Sequence, residues 1–238
     1  MAYKNPLMSS APVLPAQPAG LSADLQAFIQ SDRFPCAGAR SALRLDQVSL
    51  VEGGDFLSDD SDAHIHAALS RFGRDLDPDT MPFKTLVCGF RRSSVMDETT
   101  FETALWARLQ RLHEIDHQRG VPWAANVSPD PASPDFGISI NGVASFVIGL
   151  HPGASRAARR FCRPALVFNS HDQFEQLRAD GRYQALQKVI RQTELDVNGS
   201  INPMIGTHGQ RNQAAQYSGR QVGEDWTCPF QFKAPASA

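Results

Sequence analysis

Phe146-Val147-Ile148-Gly149-Leu150-His151-Pro152-Gly153-Ala154-Ser155-Arg156-Ala157-Ala158-Arg159-Arg160-Phe161 is the stretch on which the reading of this chain turns. Val143 to Leu150 is an almost continuous apolar run, the pattern of a strand buried on both faces. Pro152 and Gly153 break it, because proline cannot donate to a ladder and glycine tolerates the sharp turn. His151 stands at that strand end, where a side chain can point into a pocket. Ser155 is placed to cap a short helix that carries Arg156, Arg159 and Arg160 on one face, with Arg163 just beyond. A neutral imidazole beside several guanidinium groups suits an anionic ligand that also offers a metal or a proton. Haem, with an iron and two propionates, meets that description, and so does a phosphorylated substrate.

Working outward, Ile138 and Ile140 lead into Asn141-Gly142, a strong two-residue turn signal, so Phe136 to Leu150 reads as a hairpin. Pro164 to Phe168 is a further buried strand. Asn169 or Ser170 can cap a helix beginning at His171, with Asp172 and Glu175 in its first turn. A second helix runs from Tyr183 to about Leu195, with Leu186, Val189 and Ile190 as its core face. Upstream, Thr99 to Arg119 is the clearest helix: Thr99 and Glu102 can form a capping box, and Phe101, Leu105, Leu109 and Leu112 draw an apolar stripe. Val48–Val51 and Lys84–Phe90 read as strands. Helices are predicted from Ser22 and from Ser61 or Asp62, the latter carrying His64 and His66 in different directions. Phe34-Pro35-Cys36 ends the first helix, with Cys36 read as a small buried residue. The expectation is an α+β fold in which a mixed, largely antiparallel sheet is covered by helices, a single domain over residues 21–238. Residues 1–20, rich in Ala, Pro and Ser, read as a disordered tail.

At 238 residues the chain can bury a sizeable core, and its formal net charge of −2 argues against a nucleic-acid partner. Four widely spaced cysteines, without a C-x-x-C pair, favour a reduced, cytoplasmic protein. No apolar run is long enough to span a membrane. His113-Glu114-Ile115-Asp116-His117 matches H-E-x-x-H, which on a helix would aim two imidazoles one way, with Glu114 as general base of a zinc-dependent hydrolase. The third-ligand position holds Trp123 and the motif sits in a last helical turn, so a chance match on a helix end is preferred.

Many words in one order carry a resemblance. Gly149-Leu150-His151-Pro152, Ser155-Arg156 and Ala158-Arg159-Arg160-Phe161 look like the central motif of the YqcI/YcgG-type family. Phe34-Pro35-Cys36, Phe101-Glu102, Leu166-Val167-Phe168-Asn169, Gln216-Tyr217-Ser218-Gly219-Arg220 and Cys228-Pro229-Phe230 match as well, from about Phe34 to Phe230. Where family members usually carry Ser-Glu, this chain has Asn212-Gln213. The resemblance implies a haem b monooxygenase that N-hydroxylates a guanidino or amino group of a small arginine-like substrate. It would use dioxygen or peroxide and an electron donor, and a homodimer is compatible with it. A haem-binding sensor or carrier without turnover is the alternative beside the zinc hydrolase.

Under that implication His151 is expected as the axial iron ligand, with His171 and His208 as alternates and Cys162 as a thiolate outsider. His171 is otherwise a catalytic group that handles a proton on bound oxygen. Arg156, Arg159, Arg160 and Arg163, with Tyr217 and Arg220, are expected on the cofactor, at least one arginine pairing with a propionate. Asp172, Glu175 and Glu194 are the carboxylates expected to face a cationic substrate.

Overall fold

Because Asn141 and Gly142 both adopt positive φ, at 55° and 74°, the chain reverses in two residues between β3 (Ile138–Ile140) and β4 (Val143–Leu150). The register then pairs Ile140 with Val143 and Ile138 with Ser145. The structure, a computed structural model, describes residues 20–32, 34–77, 79–91, 95–200 and 213–236. The expected tail up to residue 19, Asn202-Pro203-Met204, His208 and Asn212 lie outside the described residues.

The hairpin is one edge of a five-stranded sheet with β1 (Val48–Glu52), β2 (Thr85–Gly89) and β5 (Ala165–Ser170), in the order β1-β2-β5-β4-β3. β1 and β2 are parallel, joined by the crossover helix α3 (Asp62–Arg74), and the other pairs are antiparallel. The fold is thus the mixed, mostly antiparallel α+β sheet expected from the residue pattern, in one domain.

Period-two alternation divides the sheet into two working faces. On one, Leu86, Cys88, Leu166, Phe168 and Val147 form a closed core with Ile65, Leu69 and Phe72 of α3 and Phe101, Leu105 and Leu109 of α4 (Glu98–Gln118). Each of these side chains contributes about 1.5–3 kcal/mol by leaving water. Arg108 of α4 is buried there too, its guanidinium bonded to the Phe56 and Ser58 carbonyls at 2.7 Å and paired with Asp62. The other face carries α1 (Leu21–Gln30), α2 (Ala37–Arg44), α5 (His171–Ala179) and α6 (Arg182–Asn198). Near α1 it closes a smaller core, with Val87, Leu150 and Ala165 against Leu25, Ile29 and Phe161. Towards α6 it stays open.

Several local expectations are corrected. Asp97, not a Thr99–Glu102 box, caps α4, its carboxylate accepting the Thr100 N–H at 2.7 Å. Glu102 is instead drawn to Ser218 and Arg220. The arginine-bearing helix after Ser155 is only a single 3-10 turn, Ala157–Arg159, because the guanidinium groups fold back onto backbone carbonyls and leave no apolar stripe to bury. α2 is a helix that the sequence pattern does not announce. Val189 of α6 is 50% exposed rather than core.

Candidate functional site

Between the open sheet face and α1, α2, α5 and α6 lies a cavity of about 360 Å³, in the range of small-molecule sites. Its floor is Val87, Val167, Phe146, Ile148 and Leu150, from three neighbouring strands. Phe28, Phe34 and Phe83 close one end. The roof is α6, whose Tyr183, Leu186, Gln187, Ile190, Arg191 and Glu194 recur at helical spacing. No residue of α6 other than Glu194 is fully buried among those described, so this helix covers the cavity without filling it. Gly181 and Gly199, both at positive φ, bracket it.

Polar side chains, among them Asn169, Gln173, Arg178, Gln187 and Arg191, interrupt this apolar lining, and three further groups set its chemistry. Glu194, 3% exposed, is the carboxylate among the described lining residues. Arg159 comes from beneath, with Nη1 donating to the Gly149 carbonyl at 3.0 Å and Nη2 to that of Gln216 at 2.9 Å. Burial lowers its pKa to about 10, against the opposing pull of Glu194 and Cys36. Cys36 is the third: it caps α2, its sulfur accepting the Ala39 N–H at 3.5 Å. Burial pushes the Cys36 thiol up, while the Ala39 and Gly38 N–H groups and then Arg159 and Arg40 oppose that shift.

The residues singled out from sequence scatter. His151 is fully buried on the other face of β4, stacked on Phe101 at 4.2 Å, because β4 sends Leu150 to the cavity and the next residue to α4. Neither ring nitrogen has a hydrogen bond of ordinary geometry, although the Met96 backbone is near enough to favour the charged form. His151 therefore does not line the cavity, which corrects the expectation of a strand-end side chain aimed into a pocket. His171 begins α5 against Gly137, outside the cavity lining, and His208 is not among the described residues. Cys162 is exposed.

Of the four arginines singled out around Ser155, Arg159 is the one that lines the cavity, alongside Arg178 of α5 and Arg191 of α6. Arg160 donates to the Ala154 and Ser155 carbonyls, Arg163 pairs with Asp24, and Arg156 reaches the Ser200 carbonyl at 3.3 Å. Arg220 donates to Glu102 at 2.7 Å. Tyr217 is buried against Trp106 with its hydroxyl 3.2 Å from the Ser145 carbonyl, and burial pushes its phenol up. Asp172 and Glu175 are exposed, the first accepting from Asn126 and the second paired with Arg178, so neither carboxylate faces the cavity. Gln213 does line it.

The H-E-x-x-H stretch holds the C-terminal segment. His113 accepts the Lys233 N–H at 2.9 Å among Trp123, Phe230 and Phe232, Glu114 pairs with Lys233, and His117 meets the Ala234 carbonyl. Among the described residues no group of three His, Cys, Asp or Glu could hold a metal ion. Nor is any described helix long and apolar enough to cross a membrane. Cys36, a lining residue outside the sites expected from the sequence, is marked there only by the three-residue word Phe34-Pro35-Cys36 ahead of a Gly- and Ala-rich run.

No solved structure matches the chain. It is 24% identical over 215 residues to the Bacillus subtilis (strain 168) protein named "Uncharacterized protein YcgG", an alignment covering 85% of this chain and 82% of that protein. The YqcI/YcgG family model matches residues 25–231, from within α1 to the segment docked on His113. That span takes in the whole sheet and every wall of the cavity, and the chain belongs to the YqcI/YcgG family.

Proposed function

We propose that this protein is a haem-dependent monooxygenase that hydroxylates a nitrogen of a small cationic substrate, a guanidino or amino compound of arginine-like size. The observation that carries the reading is the cavity itself: apolar sheet and helix walls around one buried carboxylate, the partly buried guanidinium groups of Arg159, Arg178 and Arg191, and one sulfur. That donor set fits haem b, since flat apolar walls suit the macrocycle and a sulfur suits iron. Guanidinium groups at Arg159 and Arg191 suit propionates.

When bound, the haem supplies oxygen activation from dioxygen with an electron donor, or from peroxide. The chain's own groups do the rest. Glu194 Oε atoms receive the substrate cation, whose desolvation in an apolar site needs an opposite charge. Arg159 balances Glu194 while the cavity is unliganded, and its three carbonyl contacts fix its position. α6 excludes water, which strengthens both electrostatic contacts. The test is the absorption spectrum of protein made in cells supplied with haem precursor, followed by titration with arginine. A Soret band that shifts on adding arginine supports the reading. Stoichiometric zinc without iron overturns it.

A further inference from the structure

We infer that Cys36 supplies the axial ligand of the haem, as a thiolate, from the N-terminus of α2. The inference rests on the proposed function and sharpens it, because the sequence pattern had pointed to an imidazole.

Four observations converge. The Cys36 sulfur lies on the cavity wall with its neighbours Pro35 and Gly38. The residues that α2 turns to the cavity beside it, Gly38, Ala39 and Ala42, are all small. A Cβ on Gly38 would sit 3.8 Å from the sulfur and 4.0 Å from the Phe83 ring, so the bare glycine keeps this side of the sulfur free of a further side chain. Second, the sulfur already accepts the Ala39 N–H at 3.5 Å, and the Gly38 N–H also opposes its burial. Backbone donors and a helix N-terminus stabilise negative sulfur, and Arg159 adds a fixed positive charge on the same cavity. Third, no imidazole among the described residues lines the cavity: His151 is on the opposite sheet face, and His66 and His113 are held by Asp116 and Lys233. Fourth, a thiolate is the ligand that donates electron density for oxygen–oxygen cleavage, the task that N-hydroxylation sets.

On loading, the S–H bond breaks, the proton leaves to solvent, and the sulfur lone pair bonds to ferric iron without change of oxidation state.

The test uses the full chain, with parent, Cys36→Ser, Cys36→His and Cys162→Ser proteins expressed alike. Ferrous–carbonyl absorption and ferric electron paramagnetic resonance are recorded for each, with circular dichroism to confirm folding. The parent should show the strongly red-shifted Soret band of a thiolate–iron–carbonyl complex. Cys36→Ser should lose that band, Cys36→His should move it to the imidazole position while retaining haem, and Cys162→Ser should match the parent. A parent with an imidazole-type spectrum, or a Cys36→Ser protein with an unchanged one, overturns the inference and leaves the haem reading standing. A parent that takes up no haem overturns both. If the Cys36 variants fail to fold, the parent's own carbonyl spectrum decides.

Discussion

His66 Nε2 lies 2.6 Å from Asp116 Oδ1, a contact that ties α3 to the end of α4 with both groups buried. The other carboxylate oxygen accepts the Asn141 N–H at 2.7 Å, and the Asn141 side chain donates to the His66 carbonyl. The turn that sets the register of β3 and β4 is thereby fastened to the helices on the closed face. Asp116→Ala leaves the buried His66 Nε2 and a turn N–H unpaired, so it should cost about 3–5 kcal/mol. Urea unfolding monitored by circular dichroism measures this, and a loss below about 1 kcal/mol contradicts it.

Arg159 is a structural strut as well as a cavity group. Its guanidinium bonds to the carbonyls of Gly149, Gln216 and Tyr217, which join β4 to the chain near residue 216. Hydrogen bonds to a charged donor are each worth about 1.5–3 kcal/mol, so Arg159→Ala should lower stability by about 3 kcal/mol or more. Arg160→Ala, at a more exposed position with two local contacts, should lose under half of that. Thermal melts of the pair give the ranking.

Glu194→Gln should weaken a cationic ligand by about tenfold or more, equivalent to about 1.4 kcal/mol. Asp172→Asn and Glu175→Gln, both on exposed positions outside the cavity, should leave affinity unchanged. Gln213→Glu adds a second carboxylate to the wall and should tighten the same ligand. Calorimetric titration with arginine reads all four, and equal affinities throughout would remove the cation from the argument.

His151 and His113 should make the protein acid-sensitive. Burial, the largest cause at both, lowers their pKa below the ordinary imidazole value. Above about pH 6.5 both states hold a neutral ring, and no stability depends on it. Below it the unfolded chain takes up protons that the folded one refuses, so stability falls until the depressed folded-state pKa is reached. His151→Phe keeps the stack on Phe101 and should flatten this slope, which unfolding midpoints at pH 7.5, 6.5 and 5.5 will show.

Glu114→Gln removes the ion pair with Lys233 on a largely exposed surface. It should change stability by under about 1 kcal/mol and leave turnover intact. Lost turnover would restore the zinc-hydrolase reading.

The sheet was legible because its signals are local: Asn141-Gly142 declares a turn, and the runs at Lys84–Phe90 and Pro164–Phe168 declare buried strands. The site was less legible because its signals are not. Arg159 and Arg163 look alike in sequence, yet one meets carbonyls 57 and 58 residues on, while the other meets Asp24, 139 residues back. In the structure Leu150 and His151 face opposite ways, and an apolar run buried on both faces does not tell which side of the sheet is filled. No activating base adjoins Cys36 in the chain; the groups that act on it are the backbone of α2, Arg40 and the distant Arg159 guanidinium.

The roof of the cavity is a single helix set between two left-handed glycines, and the closed core on the far side of the sheet owes it nothing. Residues at Tyr183, Gln187, Ile190 and Arg191 can therefore be exchanged without disturbing the register of a strand. Substitutions confined to that one helix would reshape what the cavity admits while the sheet and the closed core stay as they are.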